Sequence, residues 1–122
     1  MIRNNLRKVE ALAAPVLRLG DRYTYRHQRA DGLLPAVIIL DSPHPWYAER
    51  CVFAQVQTVF PLGDSALKAI KATQDESFLA ESYAALSKYD AWMVKHRMTL
   101  GKGVTEMFCE FDTGHDNSPR VT

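Results

Sequence analysis

The sequence predicts an α+β fold: a two-layer sandwich with a mainly antiparallel sheet, a short N-terminal helix and a long C-terminal one, in the order α-β-β-β-α-α-β. Three observations carry that expectation. Leu33-Leu34-Pro35-Ala36-Val37-Ile38-Ile39-Leu40 is the most apolar run of the chain. It is too short to cross a membrane as a helix, and its β-branched content suits a strand buried on both faces. Residues 22–28 and 104–111 alternate in polarity with period two. Residues 77–98 place Leu79, Tyr83, Leu86 and Met93 at helical spacing.

Residues 5–14 start the chain as a helix, with Leu6, Val9 and Leu12 on one face and Asn4 or Asn5 as cap. Pro15 either ends this helix near Ala14 or kinks it on its way to Leu19, because proline removes a backbone donor and crowds the preceding turn. In the strand over 22–28, Tyr23, Tyr25 and His27 share one face and Arg22, Thr24, Arg26 and Gln28 the other. Ala30-Asp31-Gly32 turns the chain, and 22–28 with 34–40 forms an antiparallel hairpin. Asp41 to Trp46, with two prolines in three residues, is loop. Val52 to Phe60 alternates as a third strand. Asp64 or Ser65 caps a short helix over 66–73 that turns Leu67 and Ile70 inward. The long helix over 77–98 closes with Lys95, His96 and Arg97, cations suited to a helix C-terminus. Gly101 and Gly103 bracket the exit to the last strand, 104–111. Residues 1–111 form one domain and 112–122 a polar tail.

With 122 residues, 47% of them hydrophobic, the chain can bury a core without disulfides or a metal. A net charge of +1 steers it to neither nucleic acid nor an acidic membrane surface. Met1 to Asn5 leads into an amphipathic segment, unlike a signal-peptide core, and no run is long enough for a membrane-spanning helix. Cys51 and Cys109 fit no zinc pattern or disulfide framework, and are expected as reduced, buried thiols.

No convergent catalytic set is present, and no cofactor or metal site is expected. Gly63-Asp64-Ser65 has the look of a serine-nucleophile block, but Asp and Ser before an amphipathic helix are what a cap needs. Asp41, His44, His115 and Asp116 would be the groups of a small enzyme, yet they lack paired-ligand spacing. Arg22 and Arg26, interleaved with tyrosines, would serve a nucleic-acid-binding module, which the balanced charge makes the lesser reading. The aromatics Trp46, Tyr47 and Phe108 stand among polar neighbours, Phe108 between Glu106 and Glu110. Together with Arg22 and Arg26 these residues are the expected protein interface.

The layout resembles the tail-terminator proteins of long-tailed bacteriophages. The resembling parts are the helix Leu6–Ala14, the strand Leu34-Pro35-Ala36-Val37-Ile38-Ile39-Leu40, a Trp-containing spacer, a strand ending Val59-Phe60-Pro61-Leu62, and the Asp-Ser-Ala-Leu helix start at 64–67. Pro15 and the unbroken helical stretch 64–98 depart from that pattern. The resemblance implies a non-enzymatic tail or neck assembly subunit, part of the virion and assembled in the host cytoplasm. Its partners would be copies of itself in a ring and other tail or neck subunits, with no membrane involved.

Overall fold

In a computed structural model, which describes residues 2–38, 51–53, 56, 62–108 and 112, the fold is carried by three helices: α1 (Ile2–Arg26), α2 (Leu62–Thr73) and α3 (Glu76–Arg97). The strands among the described residues are β1 (Val37–Ile38) and β2 (Cys51–Val52), paired antiparallel with Val37 opposite Val52 and Ile38 opposite Cys51. This overturns the sheet-centred sandwich and its α-β-β-β-α-α-β order.

The first correction is α1. The helix runs through Pro15 without stopping and takes in Arg22 to Arg26 of the segment 22–28 expected as a strand. Ala14, Arg18, Asp21 and Tyr25 recur at spacings of four, three and four, so they fall on one helical face. Ala14 and Asp21 are buried, Arg18 pairs with Asp75, and Tyr25 stacks on Phe78 with ring centroids 6.3 Å apart. These contacts with α2 and α3 outweigh the backbone bond lost at Pro15, about 3 kcal/mol. Tertiary packing has overridden the local period-two pattern.

The apolar run is the second correction. Leu33, Leu34 and Pro35 are buried, but in irregular chain, and Val37 is 46% exposed. A central strand would have covered Val37. The expected pairing of 22–28 with 34–40 is replaced by β1 with β2, while residues 39–50 and most of 54–61 lie outside the described residues.

α3 matches its expected span closely. Asp75 caps it, accepting the Phe78 backbone N–H at 3.1 Å, and its last turn is basic. Its inward face is Phe78, Ser82, Ala85, Trp92 and Met93; Leu79 and Tyr83, expected inward, are exposed. α2 starts at Leu62, so Asp64 lies in its first turn and bonds Lys68 at 3.1 Å instead of capping. Its buried residues are Ala66 and Ala69, while Leu67 is exposed. Two clusters form the core: Ala66, Ala69 and Phe78 with Tyr25, Ile70 and Leu86 between the helices, and Leu33, Val56, Trp92 and Met93 beneath the β hairpin.

Gly32 joins α1 to this second cluster. It has φ +103°, and a Cβ there would stand 2.4 Å from the Lys88 carbonyl oxygen. Gly32→Ala should therefore cost about 2–3 kcal/mol in a denaturant titration, since both the backbone conformation and the close approach need glycine. An unchanged midpoint would show that the approach is looser than drawn.

After α3, Gly101 and Gly103 curl the chain at positive φ. The Glu106 carboxylate accepts the Leu100 backbone N–H at 2.8 Å and the Thr99 hydroxyl. Residues 104–108 are thus irregular chain where a strand was expected. Asp112, expected as the first residue of the polar tail, is buried against Arg97. Cys51 is half-buried and free, and Cys109 lies outside the described residues. No helix among the described residues is long and apolar enough to cross a membrane.

Candidate functional site

Among the described residues, two hollows flank α3. One, of about 390 Å³, lies between α2 and α3 and is walled mainly by Ala66, Leu67, Ile70, Leu79 and Leu86. Its one carboxylate is Asp90. The other, of about 290 Å³, lies between α1 and α3 and is lined by Arg22, Tyr25, Arg26, Gln28, Glu81 and Lys88, with Ala84 and Ala85 as its floor. The second hollow holds the chemistry: three cations, one carboxylate, a phenol and an amide converge there.

The helices set each of these groups. Arg22 and Arg26 are one helical turn apart on α1, as are Glu81, Ala85 and the edge of Lys88 on α3. Arg22 donates through Nε to Glu81 at 2.8 Å and through Nη2 to Ser77 at 2.9 Å and Asp75 at 3.3 Å. Arg18 adds a 2.9 Å bond to Asp75. The Phe78 backbone N–H and the Ser77 hydroxyl, then the two arginines, draw the Asp75 carboxyl down to about 2. This ion-pair network sets the register of α1 on α3. Gln28 donates one side-chain N–H to the Gly32 carbonyl and one to that of Ala85, both at 2.8 Å, and so closes one end. Among the described residues Arg26 and Lys88 make no ion pair, which leaves two cations facing the cleft.

Behind the cleft, Tyr25 donates its hydroxyl to Ser82 at 3.1 Å. Burial pushes the Tyr25 phenol up, and the charges of Asp21 and Glu81 push the same way against the Ser82 bond. Asp21 is itself buried in the helix interface and accepts the Ser65 hydroxyl at 3.3 Å. Burial pushes its carboxyl up, and the Ser65 bond only partly opposes that. Ser65 is thus a partner of Asp21, not the cap the sequence suggested. A carboxyl raised by folding favours the fold while protonated, so its contribution is full below pH 4 and is lost as pH rises through its folded value. Asp21→Asn should flatten that dependence, and unfolding titrations at pH 4 and pH 7 measure it. An equal fall in stability over that range in both proteins would show that Asp21 is not its source.

The expected interface residues separate. Arg22 is engaged within the chain and Arg26 faces the cleft, on a helix and not on a strand. Phe108 is 67% exposed, with the Arg97 guanidinium 4.0 Å from its ring centroid, and Glu106 closes the turn after α3. Trp46, Tyr47 and Glu110 lie outside the described residues, as do Asp41, His44, His115 and Asp116. Among the described residues no three metal-ligating side chains gather. Glu81, Lys88 and Asp21 were missed because the alternation of 22–28 hid the helical face that joins them.

The family model of the mannosylglycerate hydrolase MGH1-like glycoside hydrolase domain matches residues 18–122. No curated protein and no solved structure matches the chain. The family match overturns the tail-terminator resemblance and the non-enzymatic assembly role drawn from it: the family is one of hydrolases.

Proposed function

We propose, because the chain belongs to the mannosylglycerate hydrolase MGH1-like glycoside hydrolase domain family, that the cleft between α1 and α3 binds an acidic glycoside for hydrolysis. The observation that supports this reading is the charge of the cleft. Arg26 and Lys88 have no anionic partner among the described residues, and a sugar joined to a hydroxy acid brings the carboxylate they lack. Mannosylglycerate, the compound in the family's name, is such a molecule. The glutamine, the phenol and Glu81 are suited to the sugar hydroxyls, which both donate and accept.

Glycosidic cleavage uses two carboxyl groups, one protonated to assist the leaving oxygen and one charged to activate water or attack carbon. Glu81, ion-paired to Arg22 at 2.8 Å and facing the cleft, is the candidate to activate water or attack carbon. Asp21, buried against Ser65 behind Tyr25, does not line the cleft, so Glu81 is the carboxylate that the described residues place there.

The test is release of mannose from mannosylglycerate. Glu81→Gln keeps the shape and removes the charge, and should lower kcat by about 10³-fold while the protein stays folded. Glu81→Gln activity equal to wild type would remove Glu81 from the chemistry.

A further inference from the structure

We propose that Gln28 determines the specificity of the α1/α3 cleft: it presents an acceptor that cannot become a donor, so the ligand must carry a free hydroxyl at that point. The inference rests on the glycoside reading of the cleft. Gln28 follows the end of α1, with its backbone N–H donating to the Tyr25 carbonyl at 3.1 Å, and its side chain lines the hollow. A primary amide has two N–H donors and one acceptor oxygen, and turning it over exchanges them. Here the surroundings forbid the exchange. Nε2 donates to the Gly32 carbonyl and to the Ala85 carbonyl, both at 2.8 Å. Backbone oxygens only accept, so the reversed amide would lose both bonds and set its oxygen against two others. Neither carbonyl is free to move aside: Ala85 is inside α3, and Gly32 packs against the Lys88 backbone.

The nitrogen is thus engaged by the protein and the oxygen is left to a ligand. No described residue donates to that oxygen. Every buried side-chain polar atom among the described residues has a partner, so the unpartnered oxygen is reachable from outside. The other groups of the cleft behave differently. Arg22, Arg26 and Lys88 only donate. Glu81 accepts, but it is charged and already bonded to Arg22. The Tyr25 hydroxyl rotates and serves in either sense. Gln28 alone among these is a neutral acceptor of fixed polarity. Ala85, which holds it, stands three residues before Lys88 on one face of α3, so the acceptor lies beside a cation of the cleft. A glycoside whose carboxylate meets that cation sets a hydroxyl against Gln28. A free hydroxyl donates there; an ether, an ester or fluorine in its place brings acceptor against acceptor and is rejected.

Calorimetry of the full chain with mannosylglycerate, and with analogues in which each hydroxyl in turn is replaced by fluorine, tests the assignment. Wild type should bind one analogue about tenfold or more weakly than the parent, and Gln28→Met, which keeps the length and loses the acceptor, should bind the two alike. In wild type the Gln28 side-chain carbonyl carbon should shift in its nuclear magnetic resonance with the parent and stay in place with that analogue, a reading that needs no variant to fold. A wild type that binds the parent and every analogue equally, discrimination kept in Gln28→Met, or a carbonyl resonance indifferent to the parent would each overturn the proposal and leave the cleft reading standing. A wild type that binds none of these compounds would overturn both.

Discussion

Arg97→Ala should lower the unfolding free energy by about 3–5 kcal/mol, because it strands a buried carboxylate. Arg97 donates from Nη1 to Asp112 at 2.7 Å, and Asp112 is 1% exposed. The same carboxylate accepts the Val56 backbone N–H at 3.0 Å and the Phe108 backbone N–H at 2.9 Å. It therefore ties both Val56 and the chain after Gly103 to the end of α3. Phe108 and Trp92 flank the guanidinium, at 4.0 Å and 6.0 Å from their ring centroids. Replacing both Arg97 and Asp112 by apolar residues should not restore the loss, since the buried Val56 N–H and the part-buried Phe108 N–H would then lose their acceptor. Equilibrium denaturation of the single and double variants measures this. A double variant as stable as wild type would mean that the pair matters only through its charges.

The second large effect is expected at Phe78. Its ring is fully buried, held by Ala66 and Ala69 of α2 on one side and Tyr25 of α1 on the other. The Arg22 guanidinium lies 5.4 Å from its centroid. Phe78→Ala removes a large side chain that all three helices share, and should cost about 3–5 kcal/mol in transfer and cavity terms. A loss below about 1 kcal/mol in thermal or denaturant unfolding would place the helix junction elsewhere.

The helical half of this architecture was legible in the sequence. The span of α3, its basic last turn and the turn signal at Gly101 and Gly103 follow from periodicity and glycine chemistry. α1 was illegible for a physical reason. Its inward face uses Arg18, Asp21 and a hydrogen-bonded Tyr25, so polarity does not mark it, while Tyr23, Tyr25 and His27 happen to alternate. The run at 33–40 misled in the opposite way: its first residues are buried without being a strand. The Arg97–Asp112 pair spans 15 residues with no pattern between them, so the tail's first residue carried no sign of its burial. In the cleft Arg22 and Arg26 were visible as a basic pair. Glu81 and Lys88 become their neighbours only once 22–26 is the end of a helix packed on α3.

A calorimetric titration of the chain with mannosylglycerate, set beside the uncharged methyl mannoside, tests the central claim most directly. The cleft as built should bind the acidic glycoside, with an affinity that weakens as salt is added and falls about tenfold or more in the Arg26→Ala, Lys88→Ala double variant. Methyl mannoside should bind more weakly and be insensitive to both changes. Equal affinity for the two compounds, or binding of mannosylglycerate untouched by the double substitution, would contradict the assignment of the α1/α3 cleft.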